Sequence, residues 1–137
     1  MERIIVRVLD YTETPGPRFI HQGKFSGEDF YRKVLNSKMA ECIERDVIME
    51  VVLDGTAGYP SSFLDQAFGE LVYDFSQEKA REKLEFKTSI YRRRVAKLYE
   101  ETFPQWEIRR LSEPDMHSGD DFVNMYYINN VGQLTQR

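Results

Sequence analysis

The sequence predicts one α/β domain, a mixed and partly parallel sheet with helices packed on it, followed by a C-terminal extension. Three observations predict this class. Runs with strand periodicity alternate with runs of helical periodicity as far as Leu111. One strand-like run, "VIMEVVLD", is apolar almost throughout, as in a central strand covered on both faces. The 137 residues have the size of one ordinary domain, and no internal repeat or low-complexity tract divides them. We place the domain at residues 1–111 and the extension at 112–137.

The first run, "RIIVRVLD" (residues 3–10), sets Ile4, Val6 and Val8 on one face and Arg3, Ile5, Arg7 and Leu9 on the other. That alternation is a strand's. "TETPGPR" (12–18) holds two prolines around a glycine and reads as a turn, and "FIHQG" (19–23) is expected to pair back as a short second strand. Residues 26–46 read as a helix. Ser26 is its expected N-cap and Asp29 the reciprocal partner, with Tyr31, Val34, Leu35, Met39 and Cys42 or Ile43 on the buried stripe. Glu28 and Asp29 suit the positive end of the helix dipole.

The strand of residues 47–54 leads into a glycine-bearing loop, after which Leu64, Ala67, Phe68, Leu71 and Phe75 recur as one helical stripe. Pro60 biases Tyr59 away from helical geometry, so the helix starts at or just after Pro60. With Ser62 as N-cap, Asp65 would complete a box-like cap. The small Ala67 and Gly69 are expected to bring this helix close to the sheet. "KLEFKT" (83–88) alternates as a strand, and "SIYRRRVAKLYEET" (89–102) puts Tyr91, Val95, Leu98 and Thr102 on one side of a helix. "PQWEIRRL" (104–111) aligns Trp106 with Ile108 and is expected to be the last strand. In the extension, the acidic "SEPDMHSGDD" precedes the aromatic "FVNMYYI" (122–128), expected to pack as an added strand or to serve as a contact.

Composition excludes several classes of function. The net charge is −4 and the pI about 5.3, which is wrong for broad attraction to nucleic acid. The arginines of "YRRRVAK" point about 100° apart on a helix and read as a solvated face. No apolar run approaches the roughly 20 residues of a membrane helix, and "MERIIVRVLD" lacks a secretory signal's long apolar middle. Cys42 is the only cysteine, which rules out an internal disulfide and fits a reducing compartment, so a cytoplasmic location is expected.

The search for chemistry finds no reaction. His21 and His117 belong to no metal-ligand spacing, and "EPDMHSGDD" lacks the EF-hand pattern, so no metal or cofactor is expected. A Ser–His–Asp set can be drawn from Ser61 or Ser62, His117 and several aspartates, but "YPSSF" lacks the glycines of a nucleophile elbow. Cys42 falls on an apolar helix side and reads as packing. "DGTAG" matches neither the Walker nor the dinucleotide pattern. The chain is expected not to be an enzyme.

One longer pattern is more specific. "PGPRF", "SGEDFYRKVL" and "DGTAGYPSSFLDQAFGEL" occur in this order, with Ser61, Ser62, Phe63, Asp65, Phe68, Gly69 and Leu71 in place. This arrangement resembles the uncharacterised bacterial and phage family called STAS-like, and through it the STAS domains of anti-sigma factor antagonists. In those antagonists a kinase phosphorylates a serine at this helix start and so switches partner binding. The resemblance covers roughly residues 4–103. Pro60 and Phe63 stand where the antagonists carry an acidic residue and a glycine.

The resemblance implies a regulatory protein-interaction module. Ser61 and Ser62 are the phosphorylation candidates, and Asp54, Tyr59, Pro60, Phe63 and Asp65 the partner-contact candidates. The expected partner is a protein, with a kinase-like ATPase or a second copy of the chain as forms of it, and neither nucleic acid nor membrane. Two other readings stand beside this one. The same helix start would hold a small anionic molecule or nucleotide with a nearby Arg or Lys. Alternatively, the chain is a phage or mobile-element inhibitor that makes contact through its aromatic tail.

Overall fold

The computed structural model describes residues 2–137. β1 (Arg3–Arg7), β2 (Ile48–Val52) and β3 (Leu84–Lys87) form a three-stranded sheet in the order β1-β2-β3. Both pairings are parallel, with Val6 opposite Val51 and Val51 opposite Phe86. Parallel neighbours require long crossovers, and helices supply them. Neither of the two further strands expected from the sequence forms. "FIHQG" forms a 3₁₀ turn at Ile20–Gln22, and "PQWEIRRL" is helical. The sheet is therefore parallel throughout rather than mixed.

Helix α1 covers residues 27–45, interrupted by a π-helical turn at Tyr31–Leu35. Ser26 caps it as expected, its hydroxyl accepting from the Asp29 amide at 3.0 Å. The Asp29 carboxylate does not return the cap. It accepts instead from the Tyr11 hydroxyl at 2.5 Å, being one methylene shorter than the glutamate that usually closes such a box. Cys42 is buried in this helix, which pushes its thiol up to about 11.

Helix α2 (Ser61–Phe75) is the centre of the core. Leu64, Ala67, Phe68, Leu71 and Phe75 are all buried, and so is nearly every other residue after its first turn. α1 packs on one flank of α2, and α4, spanning residues 92–112, packs on another. The short α3 (Gln77–Lys83) leads into β3. Gly69 does not bring α2 to the sheet. A Cβ there would stand 2.2 Å from the Trp106 ring, so the missing side chain admits the indole of α4.

Within α4 a π-helical turn at Leu98–Thr102 comes just before Pro104. Its register shift, with the Phe103 amide donating to the Leu98 carbonyl, lets the helix continue through a residue that lacks an N–H. Phe103 and Trp106 are buried while Ile108 is exposed, which is helical rather than strand spacing.

One face of the sheet stays open. Met49 and Val51 of β2 are buried, but Ile48, Glu50 and Val52 are only half-buried, and Ile5 of β1 is exposed. Arg3 spans this face to Glu85, 2.8 Å away. The central strand is thus covered on one side, not on both.

In the extension, β4 (Tyr126–Ile128) pairs antiparallel with β5 (Leu134–Gln136) as a separate hairpin and adds no strand to the parallel sheet. Its neighbours are α1 and α2. No helix among the described residues is long and apolar enough to cross a membrane.

Candidate functional site

The loop that follows β2 is pinned before it reaches the serines. Asp54 accepts from Thr88 Oγ1 at 2.5 Å and from the Ser89 amide and hydroxyl at 2.9 and 2.8 Å. These donors, Thr88 first, hold its carboxyl below the usual aspartate range. The Tyr59 hydroxyl donates to the Leu53 carbonyl at 2.6 Å, and its ring meets the edge of Tyr91. Asp54 and Tyr59, two of the expected partner contacts, are thus engaged within the fold.

Pro60 is extended at φ −58° and ψ 137°, and the helix begins directly after it at Ser61. No side chain caps this start. Ser62 is therefore inside the first turn and is not the N-cap, and Asp65 is free of the expected capping box. Pro60 and Ser61 are exposed, Ser62 is half-buried, and Phe63 is fully buried against Phe30 and Tyr59. Gly27 lies so close to the Phe63 carbonyl that a Cβ would stand 2.3 Å from it, which locks the start of α1 against the first turn of α2. The two hydroxyls are thus inequivalent, and Ser61 is the accessible one.

Ser61 opens onto a cleft of about 250 Å³ whose walls include Arg18, Asp65, Arg94, Lys97 and Glu101. Asp65 joins three elements here. It accepts from Arg18 Nη1 at 2.6 Å, from Thr102 Oγ1 at 2.9 Å and from the Trp106 indole at 3.4 Å. Arg18 also donates to Gln66 at 3.1 Å. Arg94 and Lys97 have no carboxylate within 4.0 Å among the described residues. Nη1 of Arg94 is buried and has no hydrogen-bond partner. Arg92 and Arg93 are exposed as expected of a solvated face, but the third arginine turns inward.

A second polar cluster lies deeper and was not foreseen from the sequence. His117 of the acidic segment is buried between two carboxylates of α2, with Nε2 3.1 Å from Glu70 and Nδ1 2.9 Å from Asp74. Asp74 also accepts from Arg137 Nη2 at 2.9 Å and from the Tyr31 hydroxyl. The His117 ring stacks on Phe122 at 4.2 Å. Burial alone would lower the imidazole's pKa, but Asp74 and Glu70 outweigh it and hold it above its ordinary value. Burial raises the Glu70 carboxyl, with His117 partly offsetting this. The carboxylates approach opposite ring nitrogens, so they do not converge on a point, and no His, Cys, Asp and Glu group among the described residues is arranged to hold a metal ion. The available signal was Glu70 and Asp74 four residues apart on an otherwise apolar helix, which places both on one face.

Comparison with protein families converges on the same segment. Residues 26–89 match the model of a family described as a STAS-like domain of unknown function. No curated protein and no solved structure matches the chain. The STAS-like segment runs from the N-cap of α1 to the serine that clamps Asp54, so it contains the whole start of α2. Arg94, Lys97 and His117 lie outside it.

Proposed function

We propose that this protein is a non-enzymatic regulatory interaction module, with the start of α2 as its contact surface and the Ser61 hydroxyl as its switch. One observation carries the reading: Ser61 is exposed on a first turn that no side chain caps, between a buried Tyr59 and a buried Phe63. A rigid base with one free hydroxyl is what a modifying enzyme and a discriminating partner both need. Pro60 is the adjacent exposed contact. The STAS-like segment supports the reading, since STAS domains of anti-sigma factor antagonists are switched at this helix start.

A phosphoryl group on Ser61, transferred by a protein kinase, adds about −1.5 to −2 charge. The positive end of α2 favours that charge by about 0.3–1 kcal/mol, while an acidic partner surface is repelled. Modification would thus leave the fold intact and change the partner. The test is the intact mass of the protein isolated from its own cells, followed by partner affinity for S61A and S61D. One phosphoryl group that maps to Ser61, with unequal affinities, is expected. An unmodified Ser61 together with equal affinities for both variants would sink the reading.

A further inference from the structure

We infer that the cleft beside Ser61 is a binding site for a phosphate dianion, either a free phosphate or phosphomonoester or the phosphate of a modified Ser61, and only for the latter source does this rest on the reading above. At about 250 Å³ the cleft is smaller than the roughly 300–1,000 Å³ of sites that enclose a drug-sized molecule, so it suits a small head group with its water. It lies among the segments that follow β1, β2 and β3, on the carboxyl side where parallel sheets hold their ligands.

The charges point the same way. Arg18, Arg94 and Lys97 face Asp65 and Glu101, a positive concavity on a chain whose net charge is −4. Asp65 is already committed to Arg18, Thr102 and Trp106. Arg94 and Lys97 stand three residues apart on one helix face, where two like charges repel unless an anion lies between them. Separately, Arg94 Nη1 is buried without an acceptor, a state that buried donors rarely occupy. A phosphate between Arg94 and Lys97 in the cleft would relieve that repulsion. The uncapped first-turn amides of α2 add further donors at the same wall.

The test titrates inorganic phosphate into the full chain, against chloride at matched ionic strength, and follows thermal unfolding. The melting temperature is expected to rise with phosphate and not with chloride. R94Q and K97Q should each weaken the apparent affinity about tenfold or more, the usual loss for a charge-assisted hydrogen bond. A second arm encodes phosphoserine at position 61. If the phosphate is the chain's own, this form melts higher than the unmodified protein, stops responding to free phosphate, and loses its gain with R94Q. A response in either arm supports the site, and the arm that responds identifies the source. The site is ruled out if phosphate and chloride act alike and encoded phosphoserine changes nothing, or if both variants bind as well as the parent. An unmodified Ser61 in cells removes the switch and leaves the free-phosphate arm standing. An encoded phosphoserine that ignores Arg94 removes Ser61 as the source of the phosphate and leaves the switch standing.

Discussion

Ser26 and Ser61 both stand at helix starts, yet their hydroxyls have opposite roles. Ser26 is buried and accepts the Asp29 amide, so S26A is expected to cost about 1 kcal/mol or more. Ser61 accepts no such bond and is exposed, so S61A should leave stability within about 0.5 kcal/mol of the parent. Urea denaturation of the two variants makes the comparison. If S61A lost as much as S26A, the hydroxyl would be structural and useless as a switch. Residue types alone suggested two caps, each with an aspartate three residues on. Only the first formed, because Pro60 itself occupies the cap position of α2 and moves Ser62 into the helix. Asp29 and Asp65 each left the cap pattern for a distant donor, Tyr11 in one case and Arg18 in the other. Such long-range partners leave no mark on local spacing.

At the scale of elements, the close meeting of α2 and α4 sets the shape of the cleft. Gly69→Ala would drive a methyl group into the Trp106 ring, and Trp106 in turn donates to Asp65. We expect a loss of about 1–3 kcal/mol from this overpacking, read as a lower urea midpoint with an unchanged slope. Strands β1 and β3, α1 and the stripe of α2 were legible from apolar periodicity, β2 from its nearly unbroken apolar run, and the start of α2 from Pro60. "PQWEIRRL" misled because Trp106 and Ile108 satisfy a two-residue period, whereas the helical period shows only when Trp106 is paired with Phe103, just outside the segment. Pro104 lacks the N–H that a helix interior needs, and the π turn before it accommodates that loss. No propensity scale anticipates an extra residue in a helical turn. Arg94 escaped notice for a related reason: its inward direction follows from how α4 lies on α2, not from its own neighbours in sequence.

Across the whole molecule, the extension is held by charge as much as by apolar contact. His117 and Arg137 meet Glu70 and Asp74 in the core, two cations with two carboxylates. Asn36 also pairs with the Tyr126 backbone in both directions, at 3.0 and 2.9 Å. The folded His117 pKa is raised above the unfolded value near 6.5, so its contribution is fully present below about pH 6.5 and is lost as pH rises through the folded pKa. The raised Glu70 carboxyl has the same sign, favouring the fold more when protonated than when charged. Melting temperature is therefore expected to fall from pH 6 toward pH 9. H117Q should flatten that fall and cost about 3–5 kcal/mol at pH 6, because it strands buried carboxylates. A slope identical in H117Q and the parent would assign the dependence to other groups. The same linkage predicts that the isolated STAS-like segment, residues 26–89, is unfolded by circular dichroism. It would lack β1 at the edge of β2 and both cations of the cluster.

The fit of Trp106 into the space left by Gly69 also has an optical consequence. The chain has a single tryptophan, and its indole N–H points at the carboxylate that steadies Arg18 at the cleft wall. Any shift of Asp65 changes the polarity around that one fluorophore. Intrinsic emission therefore reports on the cleft directly, with no dye or label, and a titration needs only a cuvette.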